Sequence, residues 1–191
     1  MQFDRLKRHG LIAFLAGVAV ALPFAALSID ARALNIVAIG ASNTAGWGVG
    51  SQNAFPAILQ ALLRKKGINA NVINAGIPGD VTAGMLNRLG ETVPAGTDIV
   101  ILQPGSNDLR FFGTKEQRAA NIEAIVGRLH GRGIRVIIYD PGEMPADSYQ
   151  WDGIHFTAAA HARIAATLAA QIAATPSTHP SRATGHGAPA N

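Results

Sequence analysis

The stretch that decides the fold is LNIVAIGASN, residues 34–43. A short run of mostly branched apolar residues ends at Gly40, and a small polar side chain, Ser42, follows two positions later. Such a run, bounded by glycine, indicates a strand that is buried on both faces. At its end Ser42 could belong to a turn, cradle a phosphate or act as a nucleophile. The rest of the chain has to distinguish these three uses.

Strand and helix patterns alternate from this strand onward. The alternation predicts an α/β fold, a three-layer α/β/α sandwich whose parallel sheet is covered by helices on both faces. Ligands of such sheets bind at the carboxyl ends of the strands, where Ser42 is expected. Further strands are predicted at 69–76, 98–105 and 134–140, and helices at 54–67, 80–93, 114–133 and 157–174.

Two sequence patterns characterise the two longest predicted helices. Thr114 and Gln117 have the spacing of a capping box, which predicts that the third helix starts there. On the last helix Ile164, Leu168 and Ile172 form the apolar face, and His161 is expected on the polar face.

The composition limits the class of protein. The 191 residues are 48% apolar and 15% charged, which suits one domain with a sizeable core. The absence of cysteine excludes disulfides, thiolate metal sites and cysteine nucleophiles. The histidines show no paired spacing with other ligands, so neither a metal nor another cofactor is expected. Nothing in the sequence indicates an oligomeric state.

The first 33 residues have the pattern of a secretory signal peptide. Arg5, Lys7 and Arg8 precede an apolar run at 11–27, and the small residues of the A-x-A site end at Ala33. We expect cleavage after Ala33, a secreted or periplasmic protein, and no stable membrane insertion afterwards. The alternative is an uncleaved anchor, because a run of this length approaches that of a spanning helix.

Cleavage would divide the chain into three parts and change its charge. They are the signal peptide at 1–33, a globular domain at 34–174, and a Pro-, Ser- and Gly-rich tail at 175–191 that is expected to be disordered. Removing residues 1–33 takes away four basic and two acidic residues, so the net charge falls from +4 to +2. The basic character therefore gives no reason to expect nucleic acid as a partner.

Known glycine-rich motifs do not account for Ser42. The glycines after the first strand lack the G-x-G-x-x-G spacing of a dinucleotide site, and no glycine is followed by lysine as in a Walker loop. The G-x-S-x-G motif of α/β-hydrolases would need glycine where Thr44 stands. A purely structural use remains, in which Ser42 caps the segment that follows the strand.

Three other segments place polar groups near the same expected edge. WDGIHFT has Asp152 three residues before His155, so the carboxylate could approach the imidazole in a tight turn. GSND offers the amide of Asn107, and NAGIPGD offers Gly79, where a backbone N–H could approach a substrate closely. Each of these residues could also be an ordinary turn residue, but four such elements on one edge favour a reactive site.

Taken together, GASNTAG, NAGIPGD, GSND and D-x-x-H resemble the four blocks of the SGNH hydrolases, also called the GDSL esterase/lipase family. The resemblance covers residues 35–172, and it is greatest to secreted bacterial esterases of the lysophospholipase, arylesterase and thioesterase kind. It implies a flavodoxin-like sheet of four to five strands. It also implies a nucleophile and a triad of Ser42, Asp152 and His155, with oxyanion donors from Ser42, Gly79 and Asn107.

Two departures from the family pattern stand out. The aspartate that usually precedes the serine is Ala41 here, which removes a possible hydrogen bond but no member of the triad. Only residues 141–151 separate Asp140 from Asp152, where the family commonly has a further helix and strand. We therefore expect a sheet of four strands and a barer rim around the site.

The resemblance implies a serine esterase that hydrolyses small or short-chain carboxylic esters without a cofactor and has a small-molecule ester as its partner. Two enzymatic alternatives remain open, a carbohydrate O-acetylesterase and an acyltransferase. The substitution at Ala41 keeps a third open, a catalytically weak ligand-binding descendant. Near the motifs, Trp47, Phe111 and Phe112 could line a pocket or belong to the core, and Arg110 could meet an anionic substrate or stay solvated.

Overall fold

The protein is represented by a computed structural model that describes residues 32–111, 113–142 and 144–175. Most of the predicted signal peptide, nearly all of the predicted tail and Phe112 lie outside these residues. Within them, no helix combines the length and the apolar character needed to cross a bilayer. The predicted division into signal peptide, domain and tail stays a prediction.

The described residues contain four strands, β1 (Leu34–Gly40), β2 (Ala70–Gly76), β3 (Ile99–Leu102) and β4 (Arg135–Ile138). They form a parallel sheet in the order β2-β1-β3-β4. This confirms the predicted α/β class. The order reverses between β1 and β3, and ligands of open α/β sheets bind at such a switch point, outside the carboxyl ends of the strands.

Helices cover both faces of the sheet. The helices are α1 (Ser42–Ala45), α2 (Phe55–Lys65), α3 (Thr82–Asn87), α4 (Leu89–Thr92), α5 (Asn107–Phe111), α6 (Lys115–His130) and α7 (Ala158–Ala173). β1 alternates between the two layers, because Ile36 packs with the core beneath α2 and α7, whereas Val37 packs with the core beneath α3, α4 and α6.

The capping box before α6 is present as predicted. The Thr114 hydroxyl accepts the Gln117 N–H, and the Gln117 side chain accepts the Thr114 N–H, both at 3.1 Å. The single helix predicted at 80–93 is instead two short helices that break at Arg88. At the break, the Arg88 guanidinium binds Asp80 and the Gly40 carbonyl, and these are tertiary contacts that local helix propensity does not predict.

His161 does not lie on a polar face, so that expectation was wrong. Its side chain is fully buried, and its Nδ1 accepts the Phe55 N–H at 3.3 Å. His161 precedes Ile164 by three positions and Leu168 by seven, which places it on the same buried stripe of α7. Burial lowers the pKa of the His161 imidazole to about 4.

The segment after β4 is short, as the spacing between Asp140 and Asp152 predicts. Among the described residues no fifth strand pairs with β4. The chain instead makes a 3₁₀ turn at Ala146–Ser148, and Tyr149 and Phe156 form one antiparallel bridge. This bridge closes a tight loop that contains Asp152 and His155.

Candidate active site

Ser42 is the first residue of α1, just beyond the carboxyl end of the inner strand β1. The sharp turn from strand to helix requires glycine at position 40, because a Cβ there would lie 2.0 Å from the Thr44 hydroxyl. That buried hydroxyl donates to Gln103 Oε1 at 2.6 Å, which joins the turn to the end of β3. The left-handed backbone of Gly46 ends α1 after four residues.

The structure brings Ser42, His155 and Asp152 together in one chain of hydrogen bonds. His155 Nε2 lies 3.1 Å from Ser42 Oγ, and His155 Nδ1 lies 2.6 Å from Asp152 Oδ2. The tight D-x-x-H loop holds the carboxylate in place, because Asp152 Oδ1 accepts the backbone N–H groups of Ile154 and His155, both at 2.9 Å.

These donors keep Asp152 ionised. Its pKa falls to about 2, first because of the hydrogen bond from the His155 side chain and then because of the N–H groups of His155 and Ile154. An ionised carboxylate at Nδ1 favours the tautomer that carries its proton there. His155 Nε2 is then left with a lone pair directed at the Ser42 hydroxyl.

Asn107 begins α5 just beyond the end of β3 and lines the same cleft as Ser42. Its side-chain Nδ2 donates to the Asp80 carbonyl at 2.8 Å. The asparagine is thereby joined to the loop that follows β2, the loop that contains Gly79. The second hydrogen of the amide is not used by this bond.

Gly79 lies in an exposed turn after β2, where the Asp80 N–H donates to the Ile77 carbonyl at 3.1 Å. Pro78 followed by Gly79 with a φ of 82° is the pattern of a type II turn. A Cβ on Gly79 would meet no atom within 4 Å, so its backbone conformation, and not crowding, requires glycine. Gly79 is not among the residues that line the cleft next to Ser42.

Sequence reasoning missed the carboxylates that end two of the motifs. Asp108, the last residue of GSND, is buried and accepts the N–H and hydroxyl of Thr82. Asp80, the last residue of NAGIPGD, accepts Arg88 Nε at 2.8 Å. Arg88 also donates to the Gly40 carbonyl at 3.2 Å, so this ion pair and these hydrogen bonds join the end of β1, the loop after β2 with the start of α3, and the start of α5.

An open cleft of about 310 Å³ runs from Ser42 toward the end of β4. Its far wall contains the ion pair between Arg118 and Asp140, 2.6 Å apart, and Arg118 Nε also donates to the Gly105 carbonyl. Among the described residues no cluster of three histidine, aspartate or glutamate side chains could hold a metal ion. Residues that line the cleft include Ser42, Asn107, Arg110, Arg118, Asp140 and Tyr149.

Trp47 and Phe111, two aromatic residues near the motifs, lie at the surface. Trp47 is 54% exposed, and its ring centre lies 5.7 Å from that of His155. Phe111 is 58% exposed, and neither ring lines the cleft. Arg110 does line it, on the side of α5.

The sequence profile of the GDSL-like lipase/acylhydrolase family matches residues 38–181. This match extends from β1 past the end of α7 and includes all four motifs. The chain therefore belongs to the GDSL-like lipase/acylhydrolase family, as the resemblance of its motifs predicted.

Similar proteins include named esterases. The chain is 29% identical over 116 residues to esterase TesA of Pseudomonas aeruginosa, a match that covers 59% of this chain and 56% of that protein. It is 30% identical over 105 residues to an arylesterase of Vibrio mimicus, covering 54% of this chain and 52% of that protein. The chain thus spans just over half the length of these curated relatives.

A solved structure of an SGNH-hydrolase family esterase, AlinE4, is 34% identical to this chain with a TM-score of 0.52. The match covers 56% of this chain and 58% of that one. Its fold agrees with the parallel sheet and covering helices described above.

Proposed function

We propose that this protein is a serine hydrolase of small carboxylic esters that works through an acyl-enzyme on Ser42. The observation that carries the proposal is the continuous chain from Ser42 Oγ to His155 Nε2, at 3.1 Å, and from His155 Nδ1 to Asp152, at 2.6 Å. A hydroxyl, an imidazole and a carboxylate in this order form the arrangement that activates serine in acyl transfer. Membership of a lipase/acylhydrolase family supports the same chemistry.

In the proposed reaction His155 Nε2 takes the proton of Ser42 as Oγ attacks the ester carbonyl. The ionised Asp152 keeps the imidazole oriented and stabilises the imidazolium that forms. His155 then gives the proton to the departing alcohol as the carbon–oxygen bond breaks. Water, deprotonated by the same imidazole, attacks the acyl-enzyme and releases the acid and free Ser42.

Three groups would bind the oxyanion of the tetrahedral intermediate. The Ser42 N–H is at the first position of α1 and so has no acceptor within that helix. Asn107 has an amide hydrogen beyond the one that binds Asp80, and the Gly79 N–H lies in the neighbouring loop. Removal of one oxyanion donor typically lowers turnover by ~10²–10³.

The cleft favours small substrates over long-chain ones. Its volume of about 310 Å³ is at the low end of the range of ligand pockets, ~300–1,000 Å³. An acetyl or butyryl ester would fit beside Ser42 with the alcohol toward solvent. We also propose that the protein is exported, on the basis of the leader pattern that ends at Ala33.

Labelling with a fluorophosphonate tests the proposal most directly. A working nucleophile forms a covalent adduct that peptide mass spectrometry assigns to Ser42, and Ser42→Ala abolishes it. The same substitution should lower hydrolysis of p-nitrophenyl acetate and butyrate by ~10⁴-fold or more. A folded wild-type protein that neither reacts with the probe nor hydrolyses esters would instead be a ligand-binding member of the family.

A further inference from the structure

The backbone on either side of His155 is held by the side chain of Asn43, the residue after the proposed nucleophile. Asn43 Nδ2 donates to the Ile154 carbonyl at 3.2 Å. Asn43 Oδ1 accepts the Phe156 N–H at 2.8 Å. The Asn43 side-chain amide therefore binds the backbone on both sides of His155. It donates to the carbonyl of the preceding residue and accepts the N–H of the following one.

Gln150 holds the same backbone from the other side. Its N–H donates to the His155 carbonyl at 2.7 Å, and its Nε2 donates to the Phe156 carbonyl at 2.9 Å. Nε2 also donates to the Trp47 carbonyl at 2.8 Å, just beyond α1. Gly48 leaves room for this amide, because a Cβ there would lie 2.2 Å from Gln150 Oε1.

Together with Asp152, these residues pair every backbone polar group from 154 to 156. The Asp152 carboxylate accepts the N–H groups of Ile154 and His155. The Asn43 side chain pairs with the Ile154 carbonyl and the Phe156 N–H. The backbone N–H and the Nε2 of Gln150 donate to the carbonyls of His155 and Phe156. Buried or half-buried backbone groups normally find such partners in regular secondary structure. Here most partners are side chains, so the position of the loop depends on side-chain identity.

We propose that Asn43 and Gln150 are positioning residues that fix the His155 imidazole against Ser42. This inference rests on the proposed function, because it assigns a purpose to the 3.1 Å separation between His155 Nε2 and Ser42 Oγ. Asn43 is the next residue after Ser42, so a shift of the nucleophile moves the histidine loop with it. A displacement of ~1 Å between reacting groups can lower the rate by ~10²-fold.

The first test compares two substitutions of asparagine by leucine. Asn43→Leu keeps the size of the side chain but removes both hydrogen bonds. We expect kcat for p-nitrophenyl acetate to fall by about 100-fold, with KM within about twofold. The matched control is Asn35→Leu, because Asn35 also donates from Nδ2 to a backbone carbonyl, that of Gly96, but at the opposite end of β1. Its kcat should stay at the wild-type value.

The second test asks whether Asn43 acts through His155. In a His155→Ala background Asn43→Leu should cause no further loss of the residual activity, since no imidazole remains to be positioned. Equal losses in the two backgrounds would overturn the proposal, because they would show a general structural effect. If Asn43→Leu does not fold, Gln150→Met provides the same comparison from the other side of the loop.

Amide hydrogen exchange judges the proposal without relying on turnover. In the wild type the Phe156 N–H is held by Asn43 and should exchange slowly, whereas in Asn43→Leu it should exchange at least about tenfold faster. Asn35→Leu should leave this rate unchanged. An unchanged exchange rate of the Phe156 N–H in Asn43→Leu overturns the positioning role of Asn43, whatever the values of kcat and KM. The Phe156 N–H could exchange faster in Asn43→Leu although the wild-type protein reacts with neither esters nor fluorophosphonate. That result would reject the proposed function and support only the hydrogen bond between Asn43 and Phe156.

Discussion

The Asp108 carboxylate accepts both the backbone N–H and the hydroxyl of Thr82, and it is buried where it does so. This contact joins the first turn of α5 to the first residue of α3. Since Asn107 donates to the Asp80 carbonyl, the start of α5 is fixed at two neighbouring points to the segment that runs from the loop after β2 into α3. The proposed oxyanion donor Asn107 belongs to α5, and the proposed donor Gly79 belongs to the loop after β2.

Removing this carboxylate should destabilise the protein and slow the reaction. Asp108→Ala removes the acceptor of the Thr82 N–H and O–H, which we expect to lower the free energy of unfolding by about 2–3 kcal/mol. Urea unfolding measures this, and Glu123→Ala on the exposed side of α6 is the control with no expected change. The kcat should fall as well, because the contact between Asp108 and Thr82 helps to hold the adjacent Asn107, a proposed oxyanion donor, in position. An Asp108→Ala variant as stable as the wild type would contradict this account.

Asp152 should act as a carboxylate over the whole pH range in which esters are assayed. Its pKa of about 2 lies below its ordinary value, so the group stays ionised down to strongly acidic solution. Asp152→Asn keeps the size of the side chain but offers an N–H to Nδ1, which favours the wrong tautomer, and kcat should fall by ~10⁴-fold. Asp147→Asn, at an exposed position nearby, should leave kcat unchanged. A fall of less than tenfold in Asp152→Asn would contradict the assigned role.

Much of the fold and of the site could be predicted because the deciding patterns are local. The capping box of Thr114 and Gln117 needs only two residues three apart, and the strand β1 needs only its own apolar run. Parallel strands then bring their carboxyl ends to one edge, so the order of motifs along the chain predicts that Ser42 and Asn107 share a cleft.

What could not be predicted depends on contacts between distant residues. The helix expected at 80–93 breaks at Arg88, whose guanidinium binds Asp80 and the Gly40 carbonyl, and the local apolar pattern shows neither the break nor these contacts. His161 was expected on the polar face because of its residue type, although its spacing from Ile164 and Leu168 puts it on the buried face of α7. The Phe55 N–H, more than a hundred residues away, supplies a hydrogen-bond partner there that the local pattern does not show. Asn43 stands at a position that the family motif leaves open, and its partners at 154 and 156 lie more than a hundred residues away.

Burial of His161 should make stability fall in acid. Its pKa is about 4 in the folded protein and ~6.5 when the chain is unfolded, so the unfolded state takes up the proton first. The stabilisation is complete above pH ~6.5 and is lost as the pH falls toward 4, a decrease of about 3 kcal/mol in the free energy of unfolding. Urea unfolding at pH 7, 5.5 and 4 measures it.

The matched variant is His161→Asn, whose Oδ1 can replace Nδ1 as the acceptor for the Phe55 N–H. Because asparagine does not titrate, the decrease between pH 7 and 4 should be smaller in this variant by about the same 3 kcal/mol. Parallel pH profiles for the two proteins would show that His161 does not carry the effect.

Trp47 should influence the alcohol part of the substrate. Its ring centre lies 5.7 Å from that of His155, the residue that would give the leaving group its proton, and 54% of the residue is exposed. Trp47→Ala should therefore raise KM several-fold for phenyl and naphthyl acetates, which can stack on the indole, while KM for ethyl acetate changes little. Trp151→Ala removes a ring that is 97% exposed and serves as the comparison. An equal rise in KM for aryl and ethyl esters would show that Trp47 does not contact the alcohol.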